Sequence, residues 1–483
     1  MNNFAIQYLQ KKYKYQIPET TMYEKIDTWN LWYKNDETLH EYVDSYGKKR
    51  QSYSLGMGKR LSEDWASIIF TEKDEISTDQ PKNEEFVENF VQKIHLTDEL
   101  PEMIENSAWS GTCGVIIRLK NVKLIKLDGV SVLQANEKTD YDLIKVNAKN
   151  IIPLRIEHGK IIDVAFVSDL VKDNKKVIYL EIHRKTDKGY VISNVYLDSK
   201  SGKEVNFDGV IKDMVTMSDT PLFSLLTPPT VNNIDNNLGL GLSVYGNAID
   251  QLEACDVAYN NFVMDFVLGG KKIIYNKRLI KYGTRKVKNS DGTYTTEEYP
   301  IYPDDISKQQ FMQVGDGLSK DELIHEYNPD LRPEQNKTGI QFALDMLSFK
   351  CGLGTKYYEF NGGNVVTATQ YMGDRQDLMK NAKKYRENLD NFISGIIKAG
   401  LLLERTVFHK DVTEDCKVLV TNRDGLLVSD EEIKEQYRQE YNMGLISKAT
   451  YLKKLNNWSD EEVEEELQKL ANENRISSVS VDE

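Results

Sequence analysis

Histidine is the side chain most often used for metal binding and proton transfer near neutral pH, so the six histidines come first. They stand at His40, His95, His158, His183, His325 and His409, and no two fall within one helical turn. The HExxH spacing that places two imidazoles on one metal is therefore absent. Cys113, Cys255, Cys351 and Cys416 are far apart and form no CxxC pair. They read as small buried hydrophobes rather than disulfides or zinc ligands. No GxSxG elbow presents a nucleophilic serine, and no GxxxxGK[ST] loop cradles a phosphate. Gly239, Gly241 and Gly246 lack the spacing of a dinucleotide fingerprint and read as a turn. Acidic residues number 76, so carboxylate pairs arise by chance and mark no acid–base site. The expectation is a protein that is not an enzyme, with no cofactor and no metal.

What remains are groups suited to contact rather than catalysis. Lys281, Arg285, Lys286 and Lys288 cluster beside a polar hairpin whose Asp291-Gly292 pair suits a tight turn. They form either an exposed hairpin or a docking surface. The stretch from Gly354 to Asn364 is rich in Gly, Asn and aromatics and resists both helix and strand. Such loops between apolar helices are often functional. Its aromatic residues, Tyr357, Tyr358 and Phe360, read as exposed. The alternative is that Tyr357, Tyr358 and Phe360 pack the loop down. The net charge of −14 argues against tight DNA binding, because phosphate contacts supply most of that affinity. Such a chain can still let DNA pass.

These groups need elements to carry them. Residues 1 to about 110 read as mostly helical, with Leu61, Trp65, Ile68 and Ile69 on one face of the segment 56–70. From about 112 to 225 the period shifts to two. Residues 115–119 and 177–183 are β-rich, with turns at Gly159-Lys160 and Asp187–Gly189. Pro228-Pro229 breaks the chain. Leu242, Tyr245, Ile249, Leu252, Tyr259, Val263 and Phe266 then recur at helical steps until Gly269-Gly270. Asp256 falls in the same stripe, and a carboxylate in an apolar seam needs a partner or water. Residues 271 to about 330 hold a short strand and the polar hairpin.

Helical periodicity returns at 334–353 as two stripes about 200° apart. One is Ile340, Leu344, Leu347 and Cys351; the other is Phe342, Met346, Phe349 and Leu353. Such a helix is buried on two sides, in the core of a monomer or between neighbours in a ring. Gln341, Asp345 and Ser348 share one polar flank. From about Thr367 to Leu403 a third pattern runs through Leu378, Ala382, Tyr385, Leu389, Phe392, Ile396, Ala399 and Leu403. Unbroken, it reaches roughly 55 Å at about 1.5 Å per residue. Near the end, Ser429–Glu432 and Ser459–Glu462 are capping-box starts, and Gly444–Ser447 lies between two helices. No stretch approaches the roughly 18 apolar residues that span a bilayer, and residues 1–14 lack a signal-peptide core. No membrane partner is expected.

In this order the residues resemble the portal proteins of tailed bacteriophages, in the group found in phages of Gram-positive bacteria. The resemblance covers about residues 50 to 475. Residues 59–70 are similar to the family's early helix, and 180–183 with 190–196 to its sheet segment. Asn232-Asn233 with 241–250 resembles its most recognisable stretch. Ala368-Thr-Gln370 and Gly444–Ser447 also match. The force lies in the joint order, not in any single motif.

The resemblance implies an α+β portal fold with long stem and wing helices, a β-containing wing, a small clip hairpin and a C-terminal helical crown, assembled as a ring, usually of twelve subunits. It divides the chain into N-terminal helices and wing (1–235), stem helix 1 (236–270), clip (271–332), stem helix 2 (333–353), tunnel loop (354–366), long wing helix (367–404), crown (405–475) and a disordered tail (476–483). Lys356, Tyr357, Tyr358, Asn361 and Asn364 would meet the DNA, and Gln341, Asp345 and Ser348 are candidates for the stem lumen. Lys281, Arg285, Lys286 and Lys288 would dock partners in the clip. Ile340, Phe342, Leu344, Met346, Leu347 and Phe349 would lie at the subunit interface. Implied partners are further copies of the chain, double-stranded DNA passing without sequence specificity, the terminase large subunit, a head–tail adaptor, and the major capsid and scaffolding proteins. The implied location is the portal vertex of the virion, after assembly in the host cytoplasm. A structural adaptor or scaffold ring with no DNA channel is the alternative, and a phage nuclease a third.

Overall fold

A computed structural model of the chain describes residues 3–17, 20–70, 75–127, 130–208, 210–235, 238–276, 281–289, 292–301, 311–314, 324–359, 376–421 and parts of 437–469. Its helices are α1 (Asn3–Tyr13), α2 (Met22–Lys34), α3 (Met57–Ile69), α4 (Glu84–Lys93), α5 (Leu96–Ser110), α6 (Ile249–Gly269), α7 (Pro333–Lys350), α8 (Gln376–Val407) and α9 (Lys448–Asn456). Its strands are β1 (Glu41–Val43), β2 (Lys49–Gln51), β3 (Glu75–Thr78), β4 (Cys113–Lys120), β5 (Lys123–Leu127), β6 (Val130–Gln134), β7 (Asp140–Asn147), β8 (Ile151–Glu157), β9 (Lys160–Lys172), β10 (Lys175–Thr186), β11 (Gly189–Asp198), β12 (Glu204–Val205), β13 (Asp213–Val215), β14 (Phe223–Leu226), β15 (Lys272–Asn276), β16 (Lys281–Lys288), β17 (Tyr294–Ile301), β18 (Phe311–Val314), β19 (Ile324–Tyr327) and β20 (Val418–Thr421). The chain is thus mixed α and β, and it divides into two compact units.

Unit 1 comprises Met1–Thr20, Glu63–Leu242 and Thr367–Glu483. At its centre lies a sheet in the order β12-β11-β10-β9-β8, with β13 beside β11. Successive side chains in a strand point to opposite faces. Ile178, Leu180 and Ile182 of β10 therefore meet α1, which lays Ala5 and Leu9 on the sheet. His183 and Phe166 lie on the other face and pack edge-on against Phe223 of β14, with ring centroids 5.3 and 5.8 Å away. β14 belongs to a second sheet, in the order β14-β4-β7.

The helix α8 completes the core of this unit. All eight of its periodic residues, from Leu378 to Leu403, are buried. The Tyr385 hydroxyl bonds to that of Ser107, and Arg386 donates to the carbonyls of Ile68 and Ile69. Here the structure corrects the expected start of a helical crown at residue 405. α8 ends at Val407, and β20 then pairs antiparallel with β3. In the later part, the Ser447 hydroxyl accepts from the Thr450 amide at 3.1 Å and caps α9.

Unit 2 comprises Thr21–Ser62 and Ser243–Val366. It holds α2, the β1–β2 hairpin, α6, α7, a small sheet in the order β18-β15-β19, and the β16–β17 hairpin. Residues 21–62, read in the sequence as part of the wing, thus cluster with the segment read as stem and clip.

The expected start of stem helix 1 near residue 236 is also corrected: α6 begins only at Ile249. Upstream, backbone groups bond to side chains instead of forming helical ladders. Asn232 donates to the Leu240 carbonyl and accepts from the amides of Ile234 and Asp235. The Gly241 amide donates to Thr112 Oγ1. A Cβ at Gly241 would sit 2.2 Å from the Gly111 carbonyl oxygen, so only glycine allows this approach. Leu242 and Tyr245 are buried, as their spacing implied, but outside any helix.

Candidate functional site

The described residues singled out for contact chemistry all belong to unit 2, which also holds the paired helices α6 and α7. The two helices pack against each other in opposite directions. At one end the Asp265 carboxylate accepts from the Arg332 amide, the Arg332 guanidinium and Asn336 Nδ2, at 3.0, 2.8 and 3.1 Å. The Arg332 guanidinium holds the Asp265 carboxyl below the usual range. Three donors on one carboxylate fix the first turn of α7, whose leading amides have no partners inside the helix. At the other end Cys255 of α6 lies near Cys351, just past α7. Burial pushes both thiols up, Cys255 to about 12. Both are inert hydrophobes there.

The helix α7 separates its two stripes sharply. Ile340, Leu344, Leu347 and Cys351 are buried. Phe342, Met346 and Phe349 are 67, 39 and 56% exposed. The chain alone thus does not bury this helix on both sides. It also corrects the interface assignment, because Ile340, Leu344 and Leu347 are already committed within the chain. Only Phe342, Met346 and Phe349 stand open. Leu353 leaves the second stripe because α7 ends before it. Gly352 adopts φ +80°, its amide donates to Phe349 O, and the Leu353 amide donates to Ser348 O. This is a Schellman closure, with Leu353 buried beneath it.

The polar flank is corrected too. Ser348 is fully buried and its hydroxyl donates to Leu344 O, so it is no wall residue. Gln341 Nε2 donates to Asp345 Oδ1 at 2.8 Å and to the Tyr358 carbonyl at 2.7 Å. Gln341 therefore ties the following loop to the helix. In that loop Lys356 is exposed, and Tyr357 and Tyr358 are half-buried with their rings edge to face at 4.9 Å. Asn361 and Asn364 lie outside the described residues.

The hairpin basics do not form one patch. Arg285 sits opposite Glu297, and its Nε and Nη2 reach Glu297 Oε2 at 2.9 and 2.7 Å. Strand alternation puts Lys286 and Lys288 on the other face, where both are exposed. The Lys281 side chain lies outside the described residues. The expected cluster of four is thus one neutralised arginine and two solvated lysines among those described.

Asp256 has found the partners its position required. It accepts from the Leu55 amide at 2.7 Å and Ser54 Oγ at 3.0 Å, and His40 Nδ1 lies 3.8 Å away. Beside it is a notch of about 260 Å³ lined by Trp32, Leu39, His40, Ser52, Glu253, Asp256, Val257 and Asn260. The residues from α2 and the β1–β2 region gave no sequence signal for this notch, beyond the odd Asp256.

A buried polar cluster also lies in unit 1. Arg118 of β4 bonds to Glu181 of β10, His183 Nε2 lies 2.8 Å from Glu181 Oε1, and the Tyr179 hydroxyl lies 3.1 Å from Glu181 Oε2. Burial, and then the Arg118 charge, depress His183 to about 3. Glu181 and His183 are buried, and through Arg118 the cluster joins β4 of one sheet to β10 of the other. Among the described residues, no group of three His, Cys, Asp or Glu is placed to hold a metal. No described helix is long and apolar enough to cross a membrane. Compared with models of known protein families and with curated proteins, the chain matches none of them.

Proposed function

We propose that this chain is a portal subunit of a tailed phage. Copies form a ring at one capsid vertex through which DNA is packaged and ejected. The single observation that carries the reading is α7, a helix with one face sealed in its own chain and the other presenting Phe342, Met346 and Phe349. α6 adds exposed Val257, Phe266, Val267 and Leu268. A two-helix layer with this much open apolar surface calls for a protein neighbour, and identical neighbours related by rotation close into a ring.

The remaining assignments follow from that reading. The loop after α7, held to Gln341 through Tyr358, supplies the channel constriction with Lys356, Tyr357 and Tyr358. Gln341 and Asp345 remain lumen candidates. The β16–β17 hairpin offers Lys286 and Lys288 to the terminase large subunit and later to the head–tail adaptor. The net charge of −14 disfavours a tight grip on DNA phosphates and so lets the duplex slide. The implied setting is the virion vertex, with the major capsid and scaffolding proteins as neighbours.

The test is mass in solution with a negative-stain image. Twelve copies of 55.6 kDa give about 670 kDa and a ring with a central hole. A compact monomer would sink the reading. A ring with no through-channel would replace it with the adaptor or scaffold alternative.

A further inference from the structure

The notch beside Asp256 and the ridge on α7 are a matched pair, and the match follows from helix geometry. Cys255 and Cys351 mark where α6 and α7 face each other, and Asp265 with Arg332 and Asn336 marks the other end. An α-helix turns about 100° per residue. Val257, two residues past Cys255, is therefore about 200° around α6 and points away from α7. Phe349, two residues before Cys351, is likewise about 200° around α7 and points away from α6. Notch and ridge thus lie on opposite sides of one two-helix layer. They also lie at one height, since each is two residues from the paired cysteines.

We propose that the ridge of one copy seats in the notch of the next, with Phe349 filling the space against Val257. The proposal rests on the ring reading above and names the contact that builds it. Size supports it: the notch holds about 260 Å³, and an apolar cavity of about 150 Å³ already accommodates a benzene ring. Charge supports it as well. Lys350 is exposed beside Phe349, and Glu253 is exposed on the rim of the notch, so seating the ring brings opposite charges together. The notch's own carboxylate, Asp256, is satisfied by Leu55 and Ser54 and asks nothing of the incoming side chain. Ridge and notch are different surfaces of one chain, so the contact is head-to-tail. Each copy uses both surfaces, and a closed ring leaves none open.

The test is disulfide trapping with V257C and F349C, both at exposed positions, where the fold is undisturbed. The four native cysteines are buried and stay silent. Under mild oxidation the double variant should give a reducible ladder of covalent multimers on a denaturing gel. The two single variants, co-expressed, should give covalent dimers and nothing larger, and each alone should stay monomeric on the gel. Dimers from F349C alone would mean that two ridges meet, and would overturn the proposal. So would a double variant that keeps ring mass in solution yet never cross-links, which would mean another occupant fills the notch and would leave the ring reading intact. A parent protein of monomer mass would refute the ring reading and this contact together.

Discussion

The division of α7 into a sealed face and an open face predicts opposite consequences for two neighbouring truncations. Leu347 is 0% exposed, so Leu347→Ala removes core packing and should cost about 2 to 5 kcal/mol of folding stability. Phe349 is 56% exposed. A buried Phe removes about 150 to 250 Å² from water, so a neighbour covering the exposed part buries roughly 110 Å². At about 25 cal/mol per Å² that is close to 3 kcal/mol per contact, or roughly a hundredfold in affinity. Phe349→Ala should therefore leave the unfolding of unassembled chains within about 0.5 kcal/mol of the parent and move assembly to much higher protein concentration. The assay is thermal unfolding at low concentration, beside light-scattering mass across a dilution series. If Phe349→Ala destabilises unassembled chains by more than about 1 kcal/mol while assembly is unchanged, Phe349 packs inside its own chain and the reasoning fails.

Other expectations follow from the same geometry. Arg118→Met leaves Glu181 buried beside Tyr179 and His183 without its cation and should cost about 3 kcal/mol in denaturant titration. The stranded carboxyl binds its proton more tightly folded than unfolded, so that deficit should shrink between pH 8 and pH 5; a deficit independent of pH would count against the pair. His183, depressed to about 3 in the folded chain, takes up protons mainly on unfolding. Stability should therefore be intact above about pH 6.5 and fall below it by up to about 1.4 kcal/mol per pH unit, and His183→Gln should flatten that slope. Asp256→Ala removes the acceptor of the Leu55 amide and should cost about 1 to 3 kcal/mol, with faster hydrogen exchange at Leu55. On the portal reading proposed above, Lys286→Glu with Lys288→Glu should leave ring mass unchanged and weaken terminase docking, whereas Arg285→Gln, which breaks the exposed pair with Glu297, should change stability by less than about 1 kcal/mol.

Periodic elements were legible where their residues pack within the same unit. The eight-residue stripe of α8 is buried as its spacing implied, because regular burial imprints regular sequence, and the β-rich runs 115–119 and 177–183 lie in β4 and β10. The two stripes of α7 were legible as apolar, but not which of them the chain itself covers, since that depends on where α6 lies. The start of α6 was misplaced because Leu242 and Tyr245 keep helical spacing while Thr112, some 130 residues earlier, supplies the hydrogen bond that turns the backbone aside. Ser348 read as polar and hence exposed, but a serine in a helix can satisfy itself on the preceding turn. The notch was invisible because half of its lining comes from residues 32–52, with no motif to tie them to α6.

The pairing of β3 with β20 sets a clock on synthesis. Beside these strands Asp79 and Asn83 bond to Lys417 and Thr413, 338 and 330 residues away, and α8 supplies a large share of the core of unit 1. Between Leu226, where β14 ends, and Gln376, where α8 begins, lie about 150 residues. At roughly 5 to 20 residues per second the ribosome needs about 8 to 30 s to make them. During that interval the nascent chain holds strands and helices whose apolar cover has not been translated. The segments of unit 2 from Ser243 onward are made inside this window. Premature association of unfinished chains is thus a hazard built into the order of the gene, and chaperone capture or slow translation between codons 226 and 376 would protect against it.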